Sequence, residues 1–152
     1  MTVVAAGLLA ACADPPSSPA CTAHPYDTTS TSGDTVTIST GLRFVDSVAG
    51  SAAAIEWCMG VMAHYDGYLL DGTKFDSSRD IDRPLIFTPG MGNLIDGFEQ
   101  GVVGMRFQGK RRLIIPPELA WGSEPVRDGS GNIIVPANST VVFDVEVLLI
   151  DP

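Results

Sequence analysis

The chain has 152 residues, 45% of them hydrophobic, and a formal net charge of -9 at pH 7. That length suits one domain plus a tail, with enough apolar residues for a real core. The acidity argues against nucleic acid as a partner, because phosphate binding needs basic density; the one basic run, Lys110-Arg111-Arg112, reads as the solvated edge of a strand.

Residues 3–11 are apolar, small and uncharged, and too few to span a bilayer as a helix. Leu9-Ala10-Ala11-Cys12 resembles a bacterial lipobox, in which the cysteine is acylated and becomes the mature first residue. The reading is a signal peptide over residues 1–11 and lipidation at Cys12. The alternative is an ordinary leader cut after an Ala-x-Ala site at Ala11-Cys12-Ala13. No Lys or Arg precedes Arg43, so the usual basic region is missing and a start further upstream is one reading.

Residues 12–40 read as a flexible tether. Asp14-Pro15-Pro16-Ser17-Ser18-Pro19 and Thr28-Thr29-Ser30-Thr31-Ser32-Gly33 offer little apolar surface to bury. Val36 and Ile38 alternate with polar residues, which starts a short strand pattern. Such a tether would hold a folded domain off a membrane while keeping it local. With Cys12 lipidated, Cys21 and Cys58 remain. An oxidising compartment allows a Cys21–Cys58 disulfide; the other reading is two free thiols, with Cys58 a small buried residue.

The domain is expected over residues 41–152. Leu42 and Phe44 alternate in a strand pattern, residues 51–58 carry no clear signal, and residues 59–70 read as a strand ending at the Asp71-Gly72 turn. Residues 80–84 form a polar loop, and Leu85-Ile86-Phe87 a short strand stopped by Pro89-Gly90. The helix candidate is residues 95–105, where Ile95, Phe98, Val102 and Met105 make one apolar face. Gly97, Gly101 and Gly104 lower its propensity, so packing must hold it, and they let a sheet approach closely. Residues 111–115 read as a strand closed by Pro116-Pro117, and residues 118–122 as a turn. Residues 128–132 open like a calcium loop, but Ser139 stands at the twelfth place instead of glutamate, so they read as a hairpin loop. The last strand is residues 140–150, with Val141, Phe143, Val145, Val147 and Leu149 on one face. Strands without βαβ alternation argue for an α+β fold, an antiparallel sheet packed on one short helix.

Chemistry concentrates at residues 64–78. His64, Tyr65, Gly67, Leu69, Asp71, Gly72, Phe75, Asp76, Ser77 and Ser78 stand at uninterrupted spacing, with no nucleophile, metal cluster or phosphate loop. This run resembles the signature of the FKBP-type peptidyl-prolyl cis-trans isomerases, His-Tyr-x-Gly-x-Leu-x-Asp-Gly-x-x-Phe-Asp-Ser-Ser. Two further blocks support the resemblance over residues 41–152: Leu94-Ile95-Asp96-Gly97-Phe98-Glu99-Gln100-Gly101, and residues 109–122 from Gly109-Lys110 to Trp121-Gly122.

The resemblance implies a curved antiparallel sheet wrapped around one short helix. It implies a cofactor-free, metal-free isomerase that rotates X-Pro bonds in a dry apolar pocket. Carried over by position, the catalytic set is Tyr65, Phe75, Asp76, Ile95, Phe98, Trp121 and Phe143, with Leu85, Leu94 and Val135 binding substrate. Phe98 replaces the family's usual tryptophan, Trp121 a tyrosine, and Leu85 a common aromatic. These departures bear on specificity and rate rather than on fold. Read without the resemblance, the same aromatics would be plain core, and His64, next to Tyr65 on a strand, points to the opposite face and is structural.

The expected partners are proline-containing unfolded or nascent exported polypeptides, with macrolides as further ligands. The chain is expected to act as a monomer in the cell envelope, on the extracytoplasmic side, touching the membrane through the lipid anchor alone. The rival function, from a different class, is a non-catalytic binding module or holdase.

Overall fold

The computed structural model of the chain describes residue 21, residues 28–32 and residues 35–151. The leader at residues 1–11, Cys12 and most of the expected tether lie outside the described residues.

Among the described residues the architecture is an antiparallel sheet with one short α-helix, α1 (Asp96–Val102), laid against it. The sheet runs β1 (Thr28–Ser32), β2 (Thr35–Ile38), β3 (Arg43–Val48), β9 (Lys110–Ile115), β12 (Val141–Asp151), β5 (Gly60–Leu69) and β6 (Lys74–Ser77). β7 (Leu85–Phe87) pairs with β5 as an eighth strand. Two small ribbons complete the fold. β4 (Ser51–Ala54) pairs with β8 (Arg106–Phe107), and β10 (Val126–Arg127) pairs with β11 (Ile133–Val135) across the hairpin expected at residues 128–132.

The longest strands form the centre. β12 pairs with β5 from Val141 opposite Leu69 to Asp151 opposite Gly60, and with β9 on its other side. Val141, Phe143, Val145 and Val147 all point into the core, as period-two patterning requires. Leu149 breaks the pattern and is 51% exposed, because the β5–β12 register shifts between Val147 and Leu149. A bulge of this kind turns the following side chains to the other face.

Three expectations change. The sheet begins within the expected tether, where the alternation of Val36 and Ile38 forms the strand it suggested: β2 pairs with β3, and Ile38 is fully buried in the core. The helix ends at Val102 rather than at residue 105. Its C-terminal segment is drawn out of the helix by a backbone exchange, Gly104 N–H donating to the Ile55 carbonyl at 2.8 Å and Ile55 N–H to the Met105 carbonyl at 2.7 Å. The basic run is not an edge, since β9 lies between β3 and β12. Arg111 is 6% exposed and gives a two-pronged ion pair to Asp46, at 2.6 and 2.9 Å. Its guanidinium also donates to the Gly101 and Val103 carbonyls at 2.8 and 3.1 Å and lies 3.9 Å over the Phe44 ring. Arg111 therefore satisfies the orphan carbonyls at the end of α1.

The glycines explain how a seven-residue helix holds to the sheet. A Cβ on Gly97 would run into Cγ2 of Ile115, and one on Gly101 would sit 2.6 Å from Cδ2 of Leu113. Only bare Cα atoms let α1 lie this close to β9, which offsets the low intrinsic propensity of the sequence.

Cys21 and Cys58 are joined in a disulfide, with Cα atoms 5.8 Å apart. The Cys58 N–H donates to the Pro89 carbonyl at 3.0 Å, so the bridge sits at the base of the loop that leads into α1.

Candidate active site

β5 and β12 set the aromatic floor through their register. Phe143 stands opposite Gly67, and Tyr65 opposite Val145, so Tyr65 and Phe143 share the core face two places apart. Gly67 makes room for this cluster. A Cβ there would stand 2.9 Å from both the Phe143 and Phe75 rings.

β6 brings in two consecutive residues that simple alternation would separate. Asp76 pairs with Gly67 and Lys74 with Tyr68, and the register shift between them leaves Phe75 unopposed. The bulge lets both neighbours work on the same side. The Tyr65 hydroxyl donates to Asp76 Oδ2 at 2.7 Å, while Phe75 meets the Trp121 and Phe143 rings edge-on at 5.9 and 5.7 Å. The other Asp76 oxygen accepts the Ser77 N–H at 2.9 Å, which fixes the carboxylate.

α1 supplies Phe98, which is 3% exposed and meets Tyr65, Phe87 and Phe143 edge-on at 6.0, 5.6 and 5.3 Å. Such edge-to-face packing is favourable beyond burial alone and fixes ring positions. Ile95 is the N-cap residue. Its carbonyl takes the Phe98 and Glu99 N–H groups, and no acceptor among the described residues sits on its own N–H. That group is one of the orphan donors every helix start presents.

These walls enclose a cavity of about 350 Å³ lined by Tyr65, Asp76, Leu85, Asn93, Leu94, Ile95, Phe98, Trp121 and Phe143. Eight of the ten expected site residues are thus gathered around one space. Phe75 is not in the lining; it buttresses Trp121 and Phe143. Val135, expected on the rim, is 1% exposed and belongs to the core, because β11 turns it inward opposite Val126. His64 is bound to the Ser78 hydroxyl at 2.9 Å.

Two contributors escaped the sequence reading. Asn93 lines the cavity. Glu99, 5% exposed, points back from α1 under the preceding loop. Its Oε2 accepts the N–H groups of Gly90 and Gly92 at 2.8 and 3.4 Å, and its Oε1 those of Asn93 and Leu94 at 3.1 and 3.2 Å. One buried carboxylate thereby shapes the wall that ends at the Ile95 N–H. The available signal was an acidic residue on the apolar side of an amphipathic helix.

The electrostatics are quiet. Burial, and then the bonded Asp76 carboxylate, push the Tyr65 hydroxyl above the usual phenol range, so it stays protonated at all ordinary pH. The cavity offers N–H donors, one carboxylate and aromatic faces. That set can bind and polarise an amide, and it holds no activated nucleophile.

A family profile described as FKBP-type peptidyl-prolyl cis-trans isomerase matches residues 59–148. FK506-binding protein of Neisseria meningitidis serogroup C is 46% identical over 88 residues, covering 58% of this chain and 76% of the relative. FK506-binding protein 2B of Rhizopus delemar is 49% identical over 90 residues, and there the match spans 59% of this chain but only 41% of the relative. Among solved structures, FkpA from Escherichia coli superposes with a TM-score of 0.68 at 37% identity, over 80% of this chain and 53% of that one. AtFKBP13 gives the same score and identity over 73% and 94%. Profile, relatives, fold and cavity agree: the chain belongs to the FKBP-type peptidyl-prolyl cis-trans isomerase family.

Proposed function

We propose that the chain accelerates rotation about X-Pro bonds in exported polypeptides, with the proline ring resting on Phe98. The observation that carries this reading is the aromatic cavity with one fixed carboxylate and a free helix-start N–H. A peptide bond resists rotation by roughly 18–20 kcal/mol because the planar amide is resonance-stabilised. Water solvates that polar planar form better than the twisted one. A pocket walled by Tyr65, Leu94, Phe98, Trp121 and Phe143 removes the advantage. The Ile95 N–H holds a substrate carbonyl, and Asp76 orients Tyr65 and the tilted amide. Each tenfold in rate needs about 1.4 kcal/mol, so several modest contributions suffice without a covalent step.

The test is cis-to-trans relaxation of a Leu-Pro peptide with the purified chain present. Relaxation at the uncatalysed rate, with the chain shown to be folded, refutes turnover. A second reading, a pocket-bearing module that binds without turnover, draws on Trp121. Its indole N–H leaves the ring at a different point from a tyrosine hydroxyl, so it meets a bound carbonyl differently. Trp121→Ala should weaken peptide binding by about 1–3 kcal/mol under either reading. The names of the Neisseria and Rhizopus relatives support FK506-type macrolides as ligands of the same cavity.

The chain acts as an exported monomer held to a membrane by acylated Cys12. Support comes from the Leu9–Cys12 box, from a disulfide suited to an oxidising compartment, and from an Arabidopsis thaliana relative, 40% identical over 118 residues, whose name states a lumenal location. Incorporation of a fatty-acid probe that disappears in Cys12→Ala checks the anchor; membrane partition that survives the substitution rules it out.

A further inference from the structure

A second groove, of about 390 Å³, opens beside the isomerase cavity and is lined by Tyr65, Ser78, Ile81, Arg83, Pro84, Leu85 and Ile86. Tyr65 and Leu85 belong to both walls, so a chain leaving the cavity over Leu85 passes directly into this groove. Ile81 is 68% exposed and Ile86 72% exposed, two of the largest apolar side chains left in water among the described residues. β7 pairs only with β5 among the described strands, and Leu85 and Ile86 alternate across it, so the groove wraps its free edge.

The polar groups sort themselves. Ser78 is committed: its hydroxyl meets His64 Nδ1 at 2.9 Å and takes the Tyr65 N–H at 2.8 Å. The Arg83 N–H donates to the Ser78 carbonyl at 2.9 Å, which ties the loop to the end of β6. The loop is held further by Lys74 gripping Asp80 at 2.7 Å. Ile81 on this anchored loop and Ile86 on β7, beside the cavity, make a preformed seat rather than stray surface.

We propose that this groove is a subsite of the isomerase for the substrate polypeptide, seating an apolar side chain outside the X-Pro pair. The inference rests on the isomerase reading of the neighbouring cavity and deepens it. The groove selects unfolded chains with a second apolar residue near the proline, and leaves peptides too short to reach it unaffected. Ile81 and Ile86 are specificity residues; neither touches the cavity where the bond rotates.

The experiment compares the native chain with Ile81→Ser/Ile86→Ser, both exposed positions whose change leaves the core intact. Three peptides are used: a four-residue Leu-Pro peptide, a ten-residue peptide with Leu-Pro at its centre and leucine at the flanking places, and the same ten residues with serine there. The native chain should prefer the leucine-flanked peptide over the serine-flanked one by about tenfold in kcat/KM, the factor that about 1.4 kcal/mol of apolar burial gives. The double variant should lose that preference and treat the four-residue peptide as the native chain does. Equal kcat/KM for the two long peptides in the native chain overturns the proposal, as does an equal loss on the short and long peptides in the variant. Calorimetric titration of the same long peptides reads the groove independently of turnover. A leucine preference in binding that vanishes in the variant upholds the subsite even where no peptide is isomerised; no preference in binding refutes it.

Discussion

Replacing Glu99 by alanine tests whether one carboxylate sets the pocket wall. The substitution frees four backbone N–H groups, those of Gly90, Gly92, Asn93 and Leu94. Gly92 and Asn93 are exposed, so water replaces the carboxylate there at little cost, while Gly90 is buried and Leu94 half-buried. An orphaned buried N–H costs about 1–3 kcal/mol, so the loss is about 2–6 kcal/mol for this pair, and the cavity left behind adds to it. Glutamine does not rescue it. Its carbonyl serves two of the donors and its NH₂ faces the other two. Loop residues 90–94 then relax, and the Ile95 N–H leaves its place. A misplacement of about 1 Å near the reacting group costs on the order of 100-fold in rate. The assay pairs urea unfolding with isomerisation of a Leu-Pro peptide, for Glu99→Ala and Glu99→Gln alike. If either variant stays within about 0.5 kcal/mol of the native chain, or folds normally and keeps its full kcat/KM, the carboxylate does not organise the wall.

Phe98→Ala should cripple turnover and cost about 3–5 kcal/mol of stability, since the ring is 3% exposed and meets three others. Asp76→Ala, at an exposed position, should slow turnover only partially and leave the urea midpoint near native. Gly67→Ala places a methyl 2.9 Å from two rings and should cost about 1–3 kcal/mol with reduced peptide affinity; unchanged ring contacts in a structure of the variant would contradict this. Because burial and Asp76 raise the Tyr65 pKa in the folded state, its contribution is full below about pH 10, the unfolded value, and is lost as pH rises beyond it. Urea midpoints for the native chain should therefore fall more steeply above about pH 10 than those of Tyr65→Phe, with the two parallel below it.

The fold class, the central strands and most of the residues around the cavity are legible along the chain. Period-two burial in β12 and the Asp71-Gly72 turn are local signals, and the spacing of residues 64–78 carries the family pattern directly. Other features arise only when distant segments meet. Arg111 reads as a solvated charge until β9 is known to lie inside the sheet, where Asp46, far away in sequence, neutralises it. Val135 reads as a substrate-binding rim residue until β11 pairs with β10 and buries it. The helix stops at Val102 because Ile55 competes for its backbone, a partner more than 40 residues away. Glu99 carries no sign in its own segment of the four N–H groups it collects, since that demand arises only when the loop folds back over α1. Periodicity and turn chemistry are properties of neighbours along the chain, whereas burial of a charge and closure of a cavity depend on which distant segments meet.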